Sequence, residues 1–247
     1  MVLNDGSDNA DVLARYSGKT VSSATLQGRT LWKNGLWNTL CLPFSLTSLE
    51  GTPLEGAKVK ELSKSSFADG TLTLTFSDDL RAIEAGKPYI VKWVNAEQTE
   101  DIESPVFEGV TVRSNTTASS TTCVDFSGAF SPVILTAGNQ TTLYMGSDNK
   151  LYYPEADMTV GACRALFLLK NGLTAGDFGS AASSSVRTFV LNFGDGDTVS
   201  VDEVSSLPAA SEESAGAWYD LQGRRLSGKP SVNGLYINNG KIVIINL

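Results

Sequence analysis

Short runs of alternating apolar and polar residues recur along the whole chain, each bounded by Gly, Asn, Asp or Pro. That period of two is the signature of strands with one buried face. It predicts strands over residues 20–26, 30–32, 37–42, 58–62, 71–76, 89–94, 106–112, 123–130, 141–145, 150–153, 165–169, 187–193, 235–237 and 241–245. Only residues 9–16 carry a helical pattern, with Asp8 or Asn9 available as a cap and Gly18 as a stop. Many short strands, with no helices of crossover length between them, point to an all-β fold. The expected architecture is an antiparallel β-sandwich with one short N-terminal helix.

Turn chemistry sharpens the pattern at two places. Asn34-Gly35 and Asn239-Gly240 each sit between strand-like runs, and Asn-Gly is the preferred pair where both turn residues take φ > 0. A two-residue loop at the first sets Trp32 opposite Trp37 and Leu31 opposite Asn38, which places both indoles on one face as a cross-strand pair. Packing accounts for such a pair, and an open face would also serve as a platform for a sugar ring. At the second, Asn238 is expected opposite Lys241, Ile237 opposite Ile242 and Tyr236 opposite Val243. A longer hairpin is expected to turn through Gly146, Ser147, Asp148 and Asn149, gathering Tyr144, Tyr152 and Tyr153. Trp93 shares a strand face with Tyr89 and Val91 and reads as core.

Composition changes near residue 194. Between residues 195 and 215 stand six acids (Asp195, Asp197, Asp202, Glu203, Glu212, Glu213) and no base, mixed with Ser, Ala and Pro. This reads as an acidic connector. The segment 216–247 then carries Arg224, Arg225, Lys229 and Lys241 against Asp220, a net +3. The expected organisation is a β-sandwich domain over 1–194, a connector over 195–215 and a small C-terminal β-hairpin module over 216–247. A module of about 30 residues cannot hold a core alone, so it is expected to dock, with Trp218 as its anchor.

The 247 residues contain no His, and 19 Lys and Arg stand against 27 Asp and Glu, a net charge of −8. Without His there is no Ser-His-Asp or Cys-His nucleophile, no HExxH zinc site and no imidazole proton shuttle. With no basic run, nucleic acid is not an expected partner. No apolar run approaches the roughly 18 residues of a membrane-spanning helix. Cys41, Cys123 and Cys163 are too few for a disulfide framework, and strand-like surroundings mark Cys41 and Cys163 as buried free thiols. Acid pairs remain as catalytic chemistry, concentrated at Asp78, Asp79 and Glu84 and at Glu97, Glu100, Asp101 and Glu103; an acid-pair glycosidase is the enzyme alternative they raise. Gly194-Asp195-Gly196-Asp197 with Asp202 has the alternating oxygen ligands of a calcium loop, without its full spacing or terminal Glu. Asp195, Asp197 and Asp202 are therefore the candidate metal ligands, and calcium the candidate cofactor. Asp197-Thr198-Val199 also matches the Asp-Thr-aliphatic glycosylation pattern of secreted Bacteroidetes proteins.

Several segments together resemble a β-rich C-terminal domain of Bacteroidetes secreted and cell-surface, repeat-containing proteins. They are Leu26-Gln27-Gly28-Arg29-Thr30-Leu31, Trp37-Asn38-Thr39-Leu40-Cys41-Leu42-Pro43-Phe44, and Ile83-Glu84-Ala85-Gly86-Lys87-Pro88-Tyr89-Ile90-Val91-Lys92-Trp93. Further matches are Pro105-Val106-Phe107-Glu108-Gly109-Val110, Leu151-Tyr152-Tyr153-Pro154 and Leu191-Asn192-Phe193-Gly194-Asp195-Gly196. The tail from Trp218 through Arg225, with residues 234–241, is similar to a shortened type IX secretion sorting module. The resemblance implies an extracellular or outer cell-surface location, and the signal-free N-terminus is then expected to be a trimmed one. It brings no catalytic or ligand residue. The functional expectation is a non-enzymatic scaffold or adhesion module whose partners are host or dietary glycans or other surface proteins. A carbohydrate-binding module using Trp32 and Trp37 is the alternative binding reading.

Overall fold

The computed structural model describes residues 1–94, 100–176, 184–194, 198–202, 218–219, 234–238 and 241–245. The fold is all-β and sandwich-like, with several sheets and one helix among the described residues. No helix there is long and apolar enough to cross a membrane. The chain divides into two compact units, Met1–Ser206 and Leu207–Leu247.

In the first unit the period-two runs become strands, and their apolar positions meet in two cores. Thr71–Phe76 turns Leu72, Leu74 and Phe76 inward. It lies in a four-stranded sheet of order Thr198–Asp202, Thr188–Asn192, Thr71–Phe76, Leu62–Ala68. A five-stranded sheet, ordered Ser119–Ser120, Val124–Ala129, Arg164–Leu169, Thr142–Met145, Leu151–Tyr152, contributes Val124, Phe126, Leu143 and Phe167 to the same core. Phe167 stacks on Phe126 at 4.4 Å within its sheet and meets Phe76 of the other sheet edge-on at 6.5 Å. Edge-to-face and offset contacts of this kind are the favoured aromatic geometries.

The other core lies between two three-stranded sheets. One has the order Val2–Asn4, Thr20–Gln27, Val106–Thr111 and supplies Leu3, Ala24, Leu26, Phe107 and Val110. The other has the order Asn38–Cys41, Pro88–Lys92, Lys58–Lys60 and supplies Leu40, Val59, Tyr89 and Val91. Pro88–Lys92 is shared: Tyr89 and Val91 enter this core, while Ile90 enters the first. A strand covered on both faces has no polar side to present, which is why Pro-Tyr-Ile-Val reads as a continuous apolar run.

Among the described residues most pairings are antiparallel, as expected, but three are parallel: Val2–Asn4 with Thr20–Gln27, Thr71–Phe76 with Thr188–Asn192, and Thr174–Ala175 with Ser185–Val186. Parallel neighbours need a crossover. The helix Ala10–Tyr16 supplies it for the first pair. For the second, the chain builds the five-stranded sheet before it returns. At the helix start Asn9 is the N-cap and makes no side-chain bond to the helix, while Asp8 Oδ1, one residue earlier, accepts the Ala10 N–H at 3.0 Å. Asn9 instead accepts the Asn4 N–H and donates to the Asn4 and Phe130 carbonyls, tying the helix start to two other segments.

The expected connector over 195–215 is corrected in part. Thr198–Asp202 is a strand, paired Asn192↔Thr198 through Thr188↔Asp202, and it belongs to the first unit. Thr-Val-Ser-Val-Asp alternates with β-branched residues, a strand pattern masked by the acids around it. In the second unit, Trp218–Tyr219, Gly234–Asn238 and Lys241–Ile245 form an antiparallel sheet. Its register is the expected one, with Asn238↔Lys241, Ile237↔Ile242 and Tyr236↔Val243. The hairpin through residues 146–149 also forms, with Tyr144 opposite Tyr152. All three Cys are free and buried, as expected.

Gly128 marks where the five-stranded sheet presses on its neighbour: a Cβ there would lie 2.2 Å from Cys41 Sγ and 2.5 Å from its Cβ. Overpacking at a contact this close costs about 1–3 kcal/mol. Gly128→Ala is expected to lower stability by that amount in urea unfolding, whereas Gly6→Ala, with open space around it, shifts it by less than about 0.5 kcal/mol.

Candidate functional site

The two flanks of Asn34-Gly35 enter different sheets. Thr30–Leu31 pairs with Ile102–Glu103, and Asn38–Cys41 pairs with Pro88–Lys92. The expected Trp32–Trp37 cross-strand pair therefore does not form. The physical reason is Asn38, whose Oδ1 accepts the Trp32 N–H and whose Nδ2 donates to the Trp32 carbonyl, both at 2.9 Å. One amide side chain thus satisfies the peptide groups that a paired strand would otherwise engage. The Asn-Gly turn itself survives, with Gly35 at φ +79° and Asn34 Oδ1 accepting the Leu36 N–H.

The indoles part accordingly. Trp37 is 5% exposed, stacked on Phe193 at 5.0 Å, with the Lys92 ammonium 4.7 Å from its ring centroid. The Trp37 backbone N–H donates to Asn149 Oδ1 at 2.7 Å. Trp32 is 55% exposed. Trp37 is thus a core residue, and the aromatic platform expected from the pair is reduced to the single ring of Trp32.

Polar contacts hold the segment that carries it. The Lys33 N–H donates to Asp101 Oδ1 at 2.7 Å, one step beyond the Leu31↔Ile102 pairing, so Asp101 lies across from the Trp32–Lys33 segment. The Lys33 ammonium sits 5.9 Å from the ring of Trp93. Trp93 is buried, as expected, with Nε1–H donating to the Glu55 carbonyl at 2.9 Å.

A second concentration of groups was not foreseen in the sequence. Asp5, Thr39, Tyr144, Met158 and Arg164 line a cleft of about 450 Å³. Arg164 Nη1 donates to the Asp5 carboxylate and to the Ala162 carbonyl. Gly161 lies against that ion pair, where a Cβ would collide with both partners. Next to them Arg29 is 4% exposed; its Nη2 donates to the Thr39 carbonyl at 2.8 Å and its Nε has no partner among the described residues. Burial, then the nearby Arg164 charge, pulls Arg29 down to about 9. Cys163 is held protonated by burial, its pKa pushed up to about 12. Tyr144 and Tyr152 pack at 5.9 Å, and Tyr152 donates to Asp148 Oδ2 at 2.6 Å.

The remaining candidates fall elsewhere. Asp79 pairs with Lys60 at 2.9 Å and Lys58 at 3.8 Å, and Glu84 pairs with Lys87 at 3.1 Å. Asp195, Asp197 and Glu97 lie outside the described residues, and Asp202 ends the strand Thr198–Asp202. The Gly-Asp-Gly-Asp run joins that strand to its antiparallel partner Thr188–Asn192. Among the described residues no three His, Cys, Asp or Glu gather to hold a metal.

No protein-family model matches this chain, and neither a curated protein nor a solved structure does.

Acrylamide separates the indoles by exposure. Trp32→Phe is expected to remove a readily quenched component of the fluorescence, whereas Trp37→Phe and Trp93→Phe leave that component in place. Equal loss of quenching in all three variants would contradict the placement of Trp32.

Proposed function

We propose that the chain is a non-enzymatic extracellular or cell-surface module acting in adhesion or scaffolding, with a glycan as the ligand of its exposed indole. The observation that carries this reading is Trp32, a large aromatic ring left open to solvent while both of its peptide groups are tied to Asn38. A ring presented on a fixed backbone loses little freedom on binding, which favours affinity at a small contact. The next residue, Lys33, is tied through its backbone N–H to Asp101, which fixes the segment at a second point. The segments that resemble Bacteroidetes surface proteins support the location.

The test is binding of the full chain to a panel of mucin and plant glycans. Trp32→Ala is expected to weaken binding about tenfold or more, roughly 1.4 kcal/mol, with an unchanged melting temperature. Trp37→Ala is expected to act on stability instead, by about 3–5 kcal/mol. Binding that survives Trp32→Ala, or no binding to any glycan, contradicts the glycan reading and turns the search to protein partners.

A further inference from the structure

We propose that the cleft beside Arg164 is a second binding site, distinct in its residues from the Trp32 shelf, and that it takes a uronic-acid-type sugar with the ligand carboxylate on Arg164 and the ring against Tyr144. The choice of a sugar rests on the glycan reading above; the choice of an acid rests on the charges around the cleft.

Three segments far apart in sequence bring those charges together, Asp5 and Arg164 being 159 residues apart. Arg164 and Asp5 form an ion pair whose side chains are 25% and 23% exposed, so ligand and solvent reach both. Arg29 adds a second guanidinium within electrostatic reach of the pair and is still cationic at neutral pH, while the Cys163 thiol near it is neutral. Two guanidinium groups thus share one carboxylate. In a poorly solvated setting such an excess is costly, and a bound anion lowers that cost. Arg29 Nε remains without a partner, a buried donor that ordinarily finds one. An arginine already half-engaged by Asp5 has donors left for a planar carboxylate, which a guanidinium matches in geometry.

The rest of the cleft suits the body of a sugar. Tyr144 offers a half-exposed ring, and Thr39 and Thr159 offer hydroxyls around about 450 Å³ of space. Glu155 is close enough to Tyr144 to raise its phenol pKa further. An acid on that edge repels a ligand carboxylate and accepts from hydroxyls, which orients the ligand with its carboxylate toward Arg164. Gly161 keeps the arrangement open, since any side chain there displaces the ion pair.

Calorimetric titration of the full chain with tetragalacturonate, with neutral galactotetraose and with sodium acetate tests this. Tetragalacturonate is expected to bind at least tenfold more tightly than galactotetraose, and its binding is expected to weaken as salt rises. Acetate is expected to compete only weakly. Arg164→Gln is expected to lose at least tenfold in affinity and Tyr144→Ala about threefold or more, while Asp5→Asn, which frees Arg164, holds or strengthens binding. Trp32→Ala is expected to leave tetragalacturonate binding unchanged. If Arg164→Gln does not fold, Tyr144→Ala decides, and a loss of binding in Asp5→Asn also counts against the proposal. Equal affinity for acid and neutral oligomers overturns the proposal, as does acid binding indifferent to Arg164→Gln and Tyr144→Ala. Neutral-glycan binding lost only with Trp32→Ala would leave the shelf standing and the cleft assignment refuted; acid binding lost only with the cleft variants would do the reverse.

Discussion

The strand Pro88–Lys92 is buried on both faces, and the first unit is organised around that constraint. Tyr89 and Val91 close one core and Ile90 the other, so neither core is complete without it. Burial of this kind is the dominant favourable contribution to folding, at roughly 25 cal/mol per Å² of apolar surface. It also fixes its neighbour Asn38–Cys41 in register, Asn38 opposite Val91 through Cys41 opposite Pro88. From that register follow the position of the Asn38 amide, the conformation of Trp32 and the close contact between Cys41 and Gly128. The exposed Trp32 segment is therefore an outgrowth of the core, held by a side chain whose own strand has nowhere else to go.

The arginine cleft follows a different logic. Apolar burial stabilises the cores, whereas Arg29 is a charge kept almost wholly out of water, with one hydrogen bond to Thr39 and an unpartnered Nε. Buried charges destabilise unless they are paired. Asp5 answers only part of that demand because it is shared with Arg164. A hydrophobic residue in place of Arg29 would carry no such cost.

Much of this was legible in the sequence where the signal is local. Thr71–Phe76 and Lys241–Ile245 follow from strict alternation between turn residues, and the Asn239-Gly240 register follows from turn geometry. The same turn signal misled at Asn34-Gly35: the local turn formed, but Asn38 occupied the hydrogen-bonding groups that would have closed the hairpin. Burial of Trp37 then depended on Phe193 and Lys92, which no short-range pattern connects to it. The parallel pairings and the Asp5, Arg29 and Arg164 cluster were invisible for one reason. Each joins segments that approach only after the sheets are built. Thr198–Asp202 failed differently, its alternation hidden beneath an acidic composition that resembles a linker.

Native-state hydrogen exchange tests the central constraint most directly. If Pro88–Lys92 is the strand both cores share, the hydrogen-bonded amides among Tyr89, Ile90 and Val91 exchange only through global unfolding, with an opening free energy equal to the stability from denaturant titration. Exchange of those amides through a smaller local opening, while amides of Thr71–Phe76 and Val124–Ala129 remain protected, would show that the outer sheets hold together without it and would contradict the shared-strand architecture.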